Sequence, residues 1–473
     1  MTGNELLCGL YTDRYQLAMA LAYWRCGRAE EEAVFDYFFR SAPFGGGYAV
    51  FAGLGPLVEA LGHFRFGEAD LAFLRKDGFP DEFLDYLRDF VFRGSVWAPP
   101  EGEIVFPYEP VLSVAGGLLE AQIIETLVLN LLNFQSLVAT KASRCRRAAG
   151  RRVLSEFGLR RAQGSGGMWA SRAACVGGCD NTSNLAAARA FGLEAAGTMA
   201  HSFIQSYDSE LEAFRDFARI HGSSTVLLLD TYDTLRSGVP NAIQVAREME
   251  SRGERLKGVR LDSGDLAYLS REVRAALDEA GLREVVILAS NQVDEHVIRS
   301  LREQDDRIDG FGIGTSLVTG VPDGALDGVY KLAETGGKPR LKASETIAKT
   351  TLPGHKTVYR MEDADGMAMA DVVCLAEEPV PDRMVHPFEP HMRLGLANWR
   401  ARPLRGEVVR GGRPAGQVPS AAEASVRARR ALDRIPPEHL RFDNPHTYKV
   451  GLSVRLRDLR DTLLADKRKD AAS

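Results

Sequence analysis

The segment "LKGVRLDSGDLAYLSREVRAALDEAG" (256–281) decides the fold, because it holds one whole repeat of the pattern that dominates the middle of the chain. "LKGVRLD" (256–262) reads as a strand. In "LAYLSREVRAALDEAG" (266–281), Leu266, Leu269, Val273 and Leu277 recur at helical spacing, and Gly281 is a suitable stop. Asp265, just before the first helical leucine, is read as the helix N-cap. Alternation along the strand aims Arg260 and Asp262 to one side. A guanidinium beside a carboxylate there can hold an anion with the first, and sugar hydroxyls or Mg²⁺ with the second.

The same unit repeats in both directions. "STVLLLD" (224–230) is a continuous apolar run, as expected of a strand covered on both faces. "RRVLSEFGLRR" (151–161), "LEAAGTMAH" (193–201), "EVVILAS" (284–290) and "IDGFGIG" (308–314) read as further strands. Between them, "TSNLAAARAFG" (182–192), "SELEAFRDFARIHG" (209–222), "NAIQVAREMESRG" (241–253) and "DEHVIRSLREQ" (294–304) read as helices. Such alternation implies a parallel sheet with right-handed crossovers. The chemically distinctive residues gather at the C-terminal ends of the strands: Gly158 to Arg161, Thr198 to His201, Asp230 to Asp233, Arg260 to Asp265, Ser290–Asn291 and Gly312 to Thr315. Six such ends favour a (β/α) barrel, whose strand ends share one mouth, over a doubly wound sheet with a single switch point.

The flanks have another texture. "AVFDYFFR" (33–40), the glycine turn in "PFGGGYAVF" (43–51) and the proline-broken "GEIVFPYEPVLSV" (102–114) suggest strands and turns outside any α/β repeat. After residue 340 the chain is again turn-rich and β-like. The expected organisation is an N-terminal α+β domain (1–116), a (β/α) barrel domain (117–340) and a C-terminal segment (341–473) packing back on the first. The fold class is α/β, with a second, mixed α+β domain built from both termini.

Composition bounds the function. The 473 residues are 45% hydrophobic and 26% charged, with a formal net charge of −5, which gives no sign of a nucleic-acid partner. "RCRRAAGRR" (144–152) is read as a charged helix face. "GLLEAQIIETLVLNLLNF" (117–134) carries Glu120, Gln122 and Glu125, and is expected to be a core-facing helix, not a membrane span. "MTGNELLCGLYTD" lacks the basic and apolar regions of a secretory signal. The six cysteines include one close pair, Cys175 and Cys179, and no second pair to complete a zinc site. Free thiols in the cytoplasm are the expectation.

At the strand ends, "GTMAHSF" places His201 after Thr198, with "DTYDT" (230–234) on the neighbouring strand. Asp230 is expected to orient the His201 imidazole as general base or nucleophile. "DGFGIGTS" (309–316), containing Gly314 and Thr315, is either a phosphate-cradling turn or a plain connector. Ser290 and Asn291 form either a second lip for an anion or a helix cap. Phe157 beside Arg160 and Arg161 suits either a flat anionic ring or a core phenylalanine near solvated charges. Lys257 sits at the start of its strand, the wrong end for a Schiff base, and no G-x-S-x-G elbow, Walker A loop or H-E-x-x-H helix occurs.

Taken with "YTDRYQLAMALAYW" (11–24), "FFRSAPFGGGYAVFAGL" (38–54), "FGIGTSLVT" and "NPHTYKVGLS" (444–453), these motifs resemble nicotinate phosphoribosyltransferase nearly end to end. The resemblance implies transfer of phosphoribosyl from phosphoribosyl pyrophosphate to nicotinate, coupled to ATP hydrolysis with Mg²⁺. It also implies an irregular barrel with an N/C-terminal sandwich, and a homodimer with active sites at the interface. It implies that His201 is phosphorylated, that Tyr15, Phe157, Thr198 and Arg260 hold nicotinate, and that Asp262 meets the ribose. Arg160, Gly314 and Thr315 would hold phosphate, Ser290 and Asn291 would lie at the phosphoribosyl pyrophosphate, and Arg40 would reach pyrophosphate from the partner subunit. Catalysis would fall to His201, Asp230 and Asp262. Arg14, Cys179 and Asn181 depart from the family pattern. The rivals are a quinolinate-type phosphoribosyltransferase, which needs no ATP, and a non-catalytic pyridine-nucleotide-binding barrel. The first should present further basic residues, and the second would not require this set of catalytic groups.

Overall fold

The computed structural model describes residues 7–344, 349–389 and 391–470. The chain divides into two compact units, one of Lys141–Gly324 and one of Met1–Thr140 with Ala325–Ser473.

The Lys141–Gly324 unit is the α/β part. Its six parallel strands, in chain order, are Val153–Glu156, Asn181–Thr182, Val226–Leu228, Gly258–Leu261, Val286–Ser290 and Gly310–Ile313. Their order in the sheet is second, first, sixth, fifth, fourth, third. Each neighbour in that order is the next strand of the chain, except that the last strand lies beside the first, with Gly310 opposite Val153 and Ile313 opposite Glu156. The order is thus a cyclic permutation of the chain order, and the second and third strands are the two unpaired edges. Apolar runs make the strands as expected. Leu227, Leu228, Leu229, Val259, Leu261 and Ile287 are buried against Val245, Met249, Val273 and Leu277 of the helices.

Local signals place the helices. Asp265 caps Leu266–Glu279, accepting from the Tyr268 N–H at 3.0 Å, and Gly281 follows the last turn at φ +84°. Asp294 caps Glu295–Glu303, so Ser290 and Asn291 are not caps. The expected strand over 193–201 is corrected. Only Ala195 makes a bridge, to Thr182, and His201 opens a short helix, His201–Gln205. The small residues from Ala195 to Gly197 carry no side chains bulky enough to hold a strand surface, so the segment leaves the sheet after one pairing.

In the other unit the two termini share their sheets. Glu32–Phe38 pairs with Val329–Thr335 and with Leu112–Gly117, and Ser95–Ala98 pairs with Gly406–Arg410, in a seven-stranded sheet. A six-stranded sheet is built around Lys356–Glu362 and Ala368–Leu375. The pairing of Val329–Thr335 with Glu32–Phe38 puts that strand in this unit, and the unit boundaries fall at Thr140 and Ala325 instead of at residues 116 and 340. Residues 345–348 of the late β-like stretch, and residues 1–6 of the N-terminus, lie outside the described residues. The apolar run Leu118–Ala149 is the one helical stretch among the described residues long and apolar enough to cross a membrane, and 67% of its apolar window is buried, as the core-helix reading expects.

Arg14 is one of the departures from the pattern that the resemblance implies. It is a surface residue, paired with Asp77 at 2.9 Å and lying over the Phe79 ring. Cys179 is buried in its own unit. All six cysteines are free, and burial pushes the Cys175 thiol up to about 12 and the Cys179 thiol well above its ordinary value.

The basic run 144–152, expected as a charged helix face, is divided, with Arg151 exposed and Arg144 turned into the interior. Arg144 is buried and bonded to Glu295 at 2.9 Å, with Lys141 on the other carboxylate oxygen at 2.6 Å. Arg146 donates to the Gly178 and Arg152 carbonyls and to Asp180. Burial raises the Glu295 pKa, but Lys141 and Arg144 outweigh it, and the net shift is downward. Glu295 therefore adds stability that is complete above the unfolded carboxylate pKa and is lost as pH falls below it. Glu295→Ala takes a buried carboxylate away from two buried cations and is expected to cost about 3–5 kcal/mol in urea unfolding at pH 7. The wild type and the variant should converge on acidification below about pH 4. A gap that does not narrow there would contradict the ion-pair account.

Candidate active site

The parallel sheet brings the C-terminal ends of its strands to one place, and a pocket of about 610 Å³ opens there. Phe157, Arg160, Thr198, Arg260 and Asp262 line it, as do Ser290, Asn291, Gly314 and Thr315. These are nine of the thirteen site residues expected from the sequence.

Asp262 is the hub. One of its carboxylate oxygens accepts the Ser290 hydroxyl, and the other lies 3.7 Å from His201 Nε2. Its own backbone N–H donates to Asp230 Oδ2 at 3.0 Å, and the Ser263 hydroxyl donates to the same oxygen at 2.5 Å. The expected Asp230–His201 pair is thus corrected. Asp230 closes the turn after the adjacent parallel strand, because Leu228 and Arg260 are register partners and the two strand ends continue side by side. His201 Nδ1 instead lies 3.1 Å from the Thr231 hydroxyl. His201 and Asp230 are not lining residues of the pocket. They reach it through Asp262.

Arg260 donates to the Thr198 hydroxyl at 2.5 Å. Burial lowers its pKa from the ordinary value, with Asp262 and Asp230 opposing the shift and Arg160 adding to it. The guanidinium nonetheless stays charged. Its Nε and Asp230 Oδ1 are buried without hydrogen-bond partners.

Phe157 is half-buried, with its ring against the sixth strand. A Cβ at Gly312 would stand 2.5 Å from that ring, so only glycine admits it there. Arg160 and Arg161 are exposed on the following turn, Leu159–Arg161. Asn291 and Gln292 both adopt positive φ, 75° and 48°, which is strained backbone for non-glycine residues and sits on the pocket wall.

Sequence reasoning missed Glu156, Thr231 and Ser263. Glu156, at the end of the first strand, is fully buried. It accepts the Gly158 N–H, the Ser171 hydroxyl at 2.8 Å and the Thr182 hydroxyl at 2.6 Å. It therefore ties the Phe157–Arg161 turn to a helix and to the second strand. The available signal was a carboxylate placed where a strand needs an apolar residue. Tyr15 and Arg40 belong to the other unit. Tyr15 is 51% exposed on the helix Arg14–Arg25, and Arg40 lies over the Phe38 ring.

Comparison with known proteins now decides the kinship. Residues 153–373 match the nicotinate phosphoribosyltransferase family model, residues 10–133 its N-terminal domain and residues 355–460 its C-terminal domain. The chain is 42% identical over 457 residues to nicotinate phosphoribosyltransferase of Bacillus subtilis (strain 168), covering 94% of this chain and 92% of that one. The chain belongs to the nicotinate phosphoribosyltransferase family. The human member is 38% identical over 519 residues, covering 96% of each chain. The crystal structure of human nicotinic acid phosphoribosyltransferase superposes with a TM-score of 0.85 at 36% identity, over 96% of this chain and 99% of that one. Family membership makes the strand-end pocket the place to look for substrate contacts.

Glu156→Ala strips three donors of their buried acceptor, and each buried donor left unsatisfied costs about 1–3 kcal/mol. A lower urea midpoint, together with weaker nicotinate binding as the Phe157 turn loosens, is the expected result. An unchanged midpoint would mean that the carboxylate bears no structural load.

Proposed function

We propose that this chain transfers the phosphoribosyl group of phosphoribosyl pyrophosphate to nicotinate, in NAD salvage, with ATP hydrolysis driving the equilibrium toward nicotinate mononucleotide. Family membership supports the transfer, and the convergence of His201, Ser290 and Asp230 on Asp262, beside a half-buried Arg260, is the observation that carries it.

In this reading the pyridine nitrogen bonds to the ribose C1 while the C1–O bond to pyrophosphate breaks, and pyrophosphate leaves with the electron pair. The sugar becomes cationic as that bond breaks. A fixed carboxylate such as Asp262 stabilises it without reorganising at the moment of reaction. Arg260 offers nicotinate's carboxylate a planar, paired set of donors, already aimed by its bond to Thr198. Phe157 supplies an aromatic face for the pyridine ring, with Tyr15 as a second one. Arg160, Ser290, Asn291, Gly314 and Thr315 clamp the phosphates, and Arg40 of the partner subunit completes the clamp in a homodimer.

His201 takes the γ-phosphoryl group of ATP. A bond forms from an imidazole nitrogen to phosphorus, the bond to ADP breaks, and water later releases phosphate. The added charge beside the phosphates changes substrate affinity and couples ATP to product formation. Mg²⁺ neutralises phosphate charge when bound. Among the described residues no group of three or more His, Cys, Asp or Glu side chains is placed to hold a metal ion. An ion carried in on pyrophosphate and held by one or two carboxylates fits this site, with Asp262 the foremost candidate. We further read the cyclic strand order as an irregular (β/α) barrel and the paired sheets of the other unit as a sandwich-like domain. The free cysteines favour the cytoplasm.

The deciding assay combines nicotinate and phosphoribosyl pyrophosphate with and without ATP. No nicotinate mononucleotide under either condition would end the proposal. Arg260→Ala should raise the KM for nicotinate roughly ten- to hundredfold, the worth of hydrogen bonds to a charged group. An unchanged KM would remove Arg260 from the carboxylate. His201→Ala should keep basal turnover and the fold while losing the stimulation by ATP. Full ATP-coupled turnover in that variant would refute the phosphohistidine.

A further inference from the structure

The basic run 144–152 also shapes a second cleft in the Lys141–Gly324 unit, at the N-terminal ends of the strands and so opposite the strand-end pocket. This cleft has a volume of about 600 Å³. Its charged lining is Arg151, Arg152, Arg274, Arg302 and Arg307 against Asp306 and Asp309. Five arginines facing two aspartates stand out in a chain whose net charge is −5.

The construction is specific. Arg152 Nη1 lies 2.9 and 3.0 Å from the two oxygens of the buried Asp306, which also accepts the Ile308 N–H at 2.8 Å. That pair brings Arg151 and Arg307, the immediate chain neighbours of its two members, to one rim. Arg302 donates to the Ala148 carbonyl at 3.0 Å, and Arg274 to the Val285 and Leu282 carbonyls at 2.8 Å. The bond to a neutral carbonyl fixes the Arg302 guanidinium without cancelling its charge. Asp309 spends one oxygen on the Ile287 N–H at 2.8 Å. Asp278 meets Arg274 and Asp305 meets Arg307, both acids on the solvent side and partly or largely exposed. Neither Arg151 nor Arg302 has a carboxylate partner among the described residues. Both are exposed, as is Arg307.

We propose that this cleft is a second anion site, which takes a compact polyphosphate group, inorganic or carried by a nucleotide. Fixed guanidinium forks suit phosphate oxygens, which accept paired N–H donors. The volume admits a small ligand and lies in the range of ligand pockets. The inference does not rest on the reading of the strand-end pocket.

The test is isothermal titration of the full chain with sodium tripolyphosphate in phosphate-free buffer of low ionic strength. Two binding events per chain are expected. R151Q/R307Q should weaken one of them at least tenfold while leaving Tm and kcat unaltered, and R160Q should weaken the other. The R151/R307-dependent event should fade as NaCl is raised. Parallel titrations with pyrophosphate and ATP distinguish the sources. Tighter ATP binding at the cleft assigns it to a nucleotide's phosphates, and tighter binding of the inorganic anions assigns it to those. The absence of any binding event sensitive to R151Q/R307Q would overturn the proposal, whereas loss of the R160Q-sensitive event alone bears only on the strand-end pocket. Displacement of cleft-bound tripolyphosphate by an equal concentration of a short RNA would also overturn it, by assigning the face to nucleic acid.

Discussion

When Gly310–Ile313 lies beside Val153–Glu156, the last strand of the α/β unit returns to the first. Everything at the candidate active site depends on that pairing. Without it, Phe157 and the glycine turn at 312–314 would sit at opposite ends of an open sheet. With it, the Phe157 N–H reaches the Ile313 carbonyl at 2.7 Å, and the ring occupies the space that Gly312 leaves free. Parallel register also puts all the C-terminal strand ends at one level, so residues far apart in the chain face a common space.

Within that space, polar groups constrain one another more than any single motif suggests. Asp262 is held through its backbone by Asp230 and through its side chain by Ser290, and so presents its remaining oxygen toward His201 in a set position. Arg260 is held by Thr198. Two neighbouring strands thus offer a prearranged carboxylate and a prearranged cation, the arrangement that charge-stabilising catalysis requires. Buried carboxylates behind the turns do the bracing. Glu156 anchors the Phe157 turn, and Glu295 pairs with Lys141 and Arg144 at the start of the helix Glu295–Glu303.

Much of this was legible in the residues. The periodicity of 266–281, the apolar run at 226–229 and the caps at Asp265 and Gly281 needed only local rules. The grouping of Phe157, Thr198, Arg260, Asp262 and Ser290 followed from placing each at the end of a strand. Partner choice was not legible. The sequence pattern puts Asp230 and His201 at neighbouring strand ends and so suggests a pair, yet the Asp262 N–H and the Ser263 hydroxyl take the Asp230 oxygen. The run 144–152 reads as a charged helix face throughout, because nothing local reveals that Arg144 meets a buried glutamate about 150 positions away. Likewise, Val329–Thr335 looked like the close of the α/β region until its pairing with Glu32–Phe38 moved it to the other unit.

By itself, the sequence determined the kind of elements, their alternation, the family and the end of the strands where chemistry gathers. Those properties follow from side-chain periodicity and from residue types within a few positions of one another. The tertiary structure alone decided which strand closes against which, which acid holds which base, and that a basic run splits between a buried ion pair and the rim of a second cleft. Each of those outcomes is a competition between distant groups for one partner. It is settled only when burial removes water as the alternative.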